Sequence, residues 1–353
     1  MFYIVITLFL FLLSYFTLSM NTLRRQIYYF VLLALFIFSS FRYQVGCDWS
    51  PYEILFDAHR DVSWTYILGK RETIFYSIVL WSRDMNFTYL SLNIILGLIF
   101  FIGIHVLARR QPDPLGFLVL IFPILIINMP MSAIRQGAAI GLICIALVSF
   151  MDRRPISFLI WVFLATGIHI SAIVFTLLLP FSTGRYNNTR IAITAIVIIP
   201  CLVFFYSLDS AQWAINTYVG TEIESYGAAF RVFLLTLTGL YFLLMIKEKW
   251  HKTFPQDYNI TSLGSMAMFL ILFLLPISSV IADRFSYYLL PIQAIIFARL
   301  PYLPFRLNSS LHSALPYIGL FFIFFIYANI SWHFNECFIP YNNWFFGVPN
   351  TFS

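Results

Sequence analysis

Charge is what this 353-residue sequence has least of. Lys, Arg, Asp and Glu together make up 10% of it, where a soluble domain carries about a quarter. So thin a polar complement excludes a soluble globular protein, because no soluble interior could hide the apolar remainder. No polar stretch is long enough for a separate soluble domain, and no internal repeat or low-complexity tail is present. Cysteine is scarce as well: Cys47, Cys144, Cys201 and Cys337 show no CxxC or other metal-ligand spacing. The sequence lacks a P-loop, a dinucleotide-binding glycine fingerprint and an HExxH, and it has no acidic pair suited to a metal-bound nucleotide sugar. A β-barrel would need alternating apolar and polar positions, and the apolar runs here are continuous.

Apolar residues are abundant. They make up 61% of the chain, aromatics 20%, with 40 Phe, and mean hydropathy is +0.85. That excludes disorder. The fold class expected is all-α: a polytopic integral membrane protein with about 12 transmembrane helices of roughly 20 residues or fewer, forming a single domain over residues 1–353. The spans read as 1–20, 26–41, 88–108, 115–130, 133–150, 156–168, 170–180, 190–206, 229–246, 260–280, 285–299 and 310–330. The first segment lacks the positive n-region of a cleaved signal peptide. Arg24 and Arg25 follow it instead, which reads as a retained first span with the N-terminus outside.

Loop charges test this layout. One side gathers 13 basic residues against 4 acidic, and the other 8 basic against 11 acidic. The basic side is expected to be the cytoplasm. That partition holds only if residues 155–180 form two short helices meeting near His169, since one continuous span would put Lys247–Lys252 outside. Each half is too short to cross about 30 Å alone, so a site lined by protein is expected at the junction. Three segments fall on the outer face: a loop over 42–86 with an amphipathic stretch around Thr73–Arg83, the segment Ser207–Tyr226, and the tail 331–353. Their acids lie among aromatics, as in Asp48-Trp49, Glu53, Asp57, Trp64, Trp213, Tyr218, Glu222, Glu224, Trp332, Tyr341 and Trp344. An interfacial aromatic belt explains any single ring; a carbohydrate-stacking platform explains the set.

Ionisable residues at membrane depth point to function by default. Arg135 follows Pro130 and Ser132 in the first turn of a helix, where free N–H groups and the helix dipole already favour anions. A guanidinium added there suits a diphosphate, against the alternative of snorkelling to the interface. His169 stands at the junction of the short helices, placed to act as a base or a phosphate donor, or bonded into helix packing. Arg284 follows Asp283 and precedes Tyr287 and Tyr288 at another helix start. Arg42 and Asp48 flank Gly46 where the second span ends, and Glu72 precedes the amphipathic stretch. Gly137 and Gly141 form a GxxxG that reads as helix packing. Cys47 and Cys337 both fall outside, where oxidation allows them to pair.

The ordered motifs carry a resemblance. Arg42-x-x-Val45-Gly46-x-Asp48-x-x-x-Tyr52 resembles the "R-x-x-V-G-x-D-x-x-x-Y" element of EpsG-like proteins, which belong with the Wzy-type polymerases of bacterial O-antigen and exopolysaccharide. Ile134-Arg135-Gln136 resembles the family's "I-R-Q" helix start, and Ile168-His169-Ile170-Ser171 its "I-H-x-S" element. Arg284 to Tyr288 and Ile339-Pro340-Tyr341 also fit, so the likeness spans nearly the whole chain. Cys47 departs from the small hydroxyl residue expected there.

The resemblance implies a membrane glycosyltransferase of the bacterial inner membrane, multi-pass, with both termini periplasmic. It implies transfer of a growing glycan from undecaprenyl diphosphate to the non-reducing end of a new lipid-linked repeat unit, on the periplasmic face. Under it Arg135, His169, Asp48 and Glu72 are the expected catalytic residues. Arg42, Arg284, Gln136, Tyr288 and Tyr52 are expected to bind the diphosphate or sugar. The scheme requires no metal and no cofactor. Expected partners are undecaprenyl-diphosphate-linked oligosaccharides, the bilayer and a Wzz-like chain-length regulator, with no nucleic acid. A lipid-linked glycan ligase, or another membrane glycosyltransferase, would share the diphosphate site. A flippase of lipid-linked sugars fits the span count less well, because its charges should line a path at mid-membrane.

Overall fold

The computed structural model describes residues 1–59, 62–182, 225, 227–305 and 309–346, with positions 192 and 196. The span expected over 190–206, the aromatics Trp213 and Tyr218, the acids Glu222 and Glu224, and the basic residues Arg185, Arg190 and Arg306 lie outside the described residues.

The described chain is helical, and its only extended pairing is a single bridge between Arg42 and Asn343. In order come α1 (Phe2–Phe16), α2 (Asn21–Ser40), α3 (Trp49–Ala58), a 3-10 turn (Trp64–Gly69), α4 (Thr73–Asp84), α5 (Tyr89–Ala108), α6 (Pro114–Ile121), α7 (Ile134–Met151), α8 (Pro155–Ile168), a 3-10 segment (Ile170–Phe181), α9 (Ala228–Tyr241), α10 (Lys247–Thr253), α11 (Tyr258–Leu270), α12 (Ser279–Arg299), α13 (Ser309–Ile330) and α14 (Trp332–Phe338). Local chemistry sets several starts. Asp113 accepts from the Gly116 N–H at 3.0 Å and Pro114 occupies the first turn of α6, while Ser278 accepts from the Ile281 N–H at the start of α12.

Six helices are long and apolar enough to cross a membrane: Thr22–Ser40, Tyr89–Ala108, Ile134–Met151, Ala228–Thr253, Ser279–Tyr302 and Leu311–Ile330. Five more apolar helices are shorter, at 10–17 residues. The expected apolar segments are thus helical wherever they are described, but they are unequal. α1 stops at Phe16, at about 22 Å by helix rise, short of a hydrocarbon core of about 30 Å. The chain is a multi-pass membrane protein with six full-length helices among the described residues. The break near His169 is present. α8 ends at Ile168, His169 is extended (φ −146°, ψ 117°), and the 3-10 segment resumes at Ile170 and packs back against α8.

One contiguous core runs from Tyr3 and Phe11 in α1 through Phe117 and Phe122 to Phe324 and Phe338. α5 and α7 meet backbone to backbone, since a Cβ on Gly103 would fall 1.8 Å from the Gly141 carbonyl oxygen. Gly141 is therefore a packing residue, as small residues are at membrane helix contacts. α1 and α13 leave Phe9, Phe16, Phe322 and Phe325 exposed, the surface that lipid would cover. A second, smaller cluster joins the 42–86 loop to the helix starts: Trp49, Tyr52, Phe56, Phe75, Val79, Tyr89, Leu92, Leu96, Ile134, Ala138 and Ile168. Chain after α14 returns to that loop. Tyr43 N–H donates to Asn342 O at 3.0 Å and Trp344 N–H to Phe41 O at 2.8 Å. Tyr341 stacks on Phe38 with ring centroids 4.6 Å apart, and Cys47 and Cys337 form a disulfide.

Candidate functional site

The smaller cluster is the floor of the site. Ile134 and Ile168 bury the chain just before Arg135 and His169, and Phe75 does so just after Glu72, at the start of α4. Three polar side chains from three elements are thereby held against one apolar base.

Glu72 is the hub. Its Oε2 accepts from Arg135 Nη1 at 2.6 Å. Its Oε1 lies 2.8 Å from His169 Nδ1 and accepts the Ile170 N–H at 3.2 Å. Arg135 Nε donates to the Tyr52 hydroxyl at 3.0 Å, and its guanidinium lies over the Tyr52 and Phe75 rings at 5.3 and 5.1 Å. Burial pushes the Glu72 carboxyl up, but the His169 hydrogen bond, the Arg135 charge and the Ile170 N–H outweigh it and hold the group down to about 2. Glu72 is therefore a carboxylate at any pH near neutral. A carboxylate only accepts, so His169 Nδ1 carries the hydrogen, and the neutral ring keeps its lone pair on Nε2.

The cluster is not saturated. The Arg135 side chain is 29% exposed, and its Nη2 makes no hydrogen bond among the described residues. His169 Nε2 likewise has no partner among them, with 14% of the side chain exposed. One donor and one acceptor thus remain on either side of Glu72.

A ring of supports surrounds these groups. Ser171 Oγ and the Tyr288 hydroxyl are hydrogen-bonded at 2.9 Å. Gln136 Nε2 donates to the Arg284 carbonyl at 2.6 Å, tying the first turn of α7 to the second turn of α12. Asp48 is kept near by its backbone N–H, which donates to Ser132 Oγ at 3.4 Å. Burial raises its carboxyl above the usual range, against the lowering charges of Arg135, Arg284, His333 and Arg42. Gly46 sits where a Cβ would lie 1.8 Å from Met131 O, with φ +103°, so only glycine lets this loop press against the chain leading into α7.

The nine residues expected at the site therefore divide. Arg135, His169 and Glu72 touch, and Tyr52 joins them through Arg135. Asp48 and Arg284 lie within electrostatic reach of this group. Gln136 and Tyr288 are spent on structural bonds. Arg42, expected to bind the diphosphate or sugar, makes its bonds within the loop and its neighbouring helices. It is fully buried, donating to Val45 O at 2.9 Å, Ser39 O at 2.8 Å and Asn93 Oδ1 at 3.2 Å, with Trp49 5.5 Å beneath it. It shapes the loop that carries Asp48. Asn93 had no sequence signal beyond being polar within an apolar run, whereas Ser171 carried one as the serine of the I-H-x-S element. Among the described residues one trio could offer three metal donors, Cys47, His333 and Cys337, with atoms within 4.8 Å of one another. Thiolates are the metal-binding form, and both sulfurs are committed to the disulfide.

A profile of the EpsG family matches residues 25–343. The chain belongs to the EpsG family. The match includes every residue of the Glu72–Arg135–His169 cluster and reaches the bridge residue Asn343. No curated protein matches, and no solved structure matches.

Proposed function

We propose that this EpsG-family protein is a polysaccharide polymerase of the bacterial inner membrane, working on the periplasmic face. It would move a growing glycan from undecaprenyl diphosphate to the non-reducing end of a lipid-linked repeat unit. The observation that carries this reading is the Glu72 carboxylate shared between His169 Nδ1 and Arg135 Nη1, with His169 Nε2 and Arg135 Nη2 left for substrate. Family membership supports a polymerase-like membrane protein.

In the proposed step the acceptor hydroxyl oxygen bonds to the anomeric carbon of the donor glycan. The bond from that carbon to the diphosphate oxygen breaks, and the diphosphate leaves with the electron pair. His169 Nε2 takes the hydroxyl proton, and Glu72 stabilises the imidazolium that forms. Arg135, with the first turn of α7, stabilises charge growing on the leaving diphosphate, while Arg284 helps hold that diphosphate before and during the step. Glu72 thus orients the base and is not itself the base, because its carboxyl is far too acidic to hold a proton near neutral pH. The test is direct: purified protein in liposomes is given lipid-linked repeat units. Conversion into a ladder of longer glycans, with release of undecaprenyl diphosphate, is expected. An active flippase or ligase fraction that yields no ladder would overturn the reading.

A further inference from the structure

The start of α12 is stitched to three neighbours. Gln136 of α7 holds the Arg284 carbonyl at 2.6 Å, and Ser171 holds the Tyr288 hydroxyl at 2.9 Å. The third stitch lies on the other side. Arg231, from the first turn of α9, donates Nε to Asp283 Oδ1 at 2.6 Å, and the Ser225 hydroxyl donates to Asp283 Oδ2 at 2.6 Å. Ser225 N–H donates to Ser279 Oγ at 3.1 Å. The Arg231 and Asp283 side chains are 8% and 12% exposed, and the guanidinium lies 5.0 Å from the Tyr287 ring centroid. Removing either partner of a buried charge pair leaves the other charge uncompensated, so the pair holds α9 and α12 in one mutual arrangement.

Successive side chains on a helix point about 100° apart. Fastening Asp283 towards α9 therefore directs Arg284 away from α9, while the Gln136 bond fixes its main chain beside the first turn of α7. Arg284 is then held in the field of Asp48 and His169. We propose that Arg231 and Asp283 are positioning residues: their ion pair sets the rotation of the α12 start, and through it the placement of Arg284 on the substrate's diphosphate. This rests on the polymerase reading for the identity of the substrate. It also gives Ser225 a direct link to the site, through Asp283.

The experiment compares wild type, Arg231→Gln, Arg284→Ala and the double variant, reconstituted in liposomes. It measures binding of undecaprenyl diphosphate and the KM and kcat for lipid-linked repeat units. Arg231→Gln should weaken diphosphate binding and raise KM by about tenfold or more, the scale of one misplaced charged hydrogen bond, while kcat changes less than about threefold. The double variant should be no worse than Arg284→Ala, since both changes remove the same contact. Additive losses, or unchanged binding in a folded Arg231→Gln protein, would overturn the proposal. If Arg231→Gln does not fold, the exchanged pair Arg231→Asp with Asp283→Arg should restore binding, and a folded exchange that fails to bind also overturns it. A wild type that binds undecaprenyl diphosphate yet makes no ladder sinks the polymerase reading alone; a wild type that does not bind it sinks both.

Discussion

The two ends of the helix bundle use the same residue types for opposite purposes. At the basic end, Arg24 spends every donor: Nε and Nη2 on the Asp113 carboxylate at 2.8 and 2.5 Å, and the rest on Ser14 and Thr17. Arg299 is similarly committed to Gln111, Asp257 and the Arg110 carbonyl. At the other end, Arg135 and His169 share one carboxylate and each keep a polar atom without a partner among the described residues. A saturated buried arginine is a clamp: removing its partner leaves an uncompensated charge, but nothing is left over to hold a ligand. An unsaturated one costs stability unless something else uses it, and in the proposed reaction that something is substrate. Saturation, rather than the presence of charge, separates the two regions.

Mutations at the two ends should behave differently. The largest effect expected is on turnover in His169→Ala, a fall of about 10²–10⁴-fold with folded protein retained, the range for loss of a general base. A His169→Ala protein that still builds ladders at a normal rate in the liposome assay would remove the base from the scheme. Next comes Arg24→Gln at the clamp end. It should cost about 3–5 kcal/mol of stability by leaving Asp113 buried and unpaired, measured by thermal unfolding in detergent, with turnover per folded molecule unchanged.

Two carboxylates then give opposite pH signatures. Glu72 is depressed in the folded protein, from the model-compound 4.5 to about 2. Its contribution is present above pH 4.5 and is lost as pH falls towards 2. Glu72→Gln should therefore destabilise by about 3 kcal/mol at pH 7, with the gap closing in acid unfolding series below pH 4. Asp48 is raised, so its charge opposes folding, and that cost appears as pH rises through the usual carboxylate range. Asp48→Asn should raise Tm slightly at pH 7 and lose that advantage on acidification. A Tm gap that widens in acid for either variant would contradict the assignment.

Much of the site was legible because charge is rare. Arg135, His169 and Glu72 stand out as lone ionisable residues beside apolar runs, and the structure brings them into contact. The break at His169 followed from loop charges alone. Other features were hidden for physical reasons. Arg42 and Arg135 look alike in sequence, and only burial and the count of bonded donors reveal that Arg42 is consumed by Val45, Ser39 and Asn93. The α3 helix escaped notice although Trp49, Tyr52 and Phe56 follow helical spacing on one buried face. Its polar, aromatic composition reads as loop, and Pro51 is tolerated because it lies in the first turn. Helix length was overestimated where an apolar run outlasts the helix, as at Phe16, whereas the run through Pro123 stays helical by widening into a π turn. Asp283 could be seen not to pair with its neighbour Arg284, but its true partner, Arg231, is 52 residues away, beyond what local spacing encodes.

In the proposed reaction, chemistry belongs to the unsaturated end. Rates of ladder formation by Arg135→Ala and Arg24→Gln, measured side by side in liposomes at equal amounts of folded protein, test it most directly. Arg135→Ala should fall by about 10²–10³-fold, the scale for removing one group that stabilises developing negative charge, while Arg24→Gln stays within about threefold of wild type, as expected for a residue without substrate contact. Equal losses in the two variants, or a larger loss in Arg24→Gln, would contradict it.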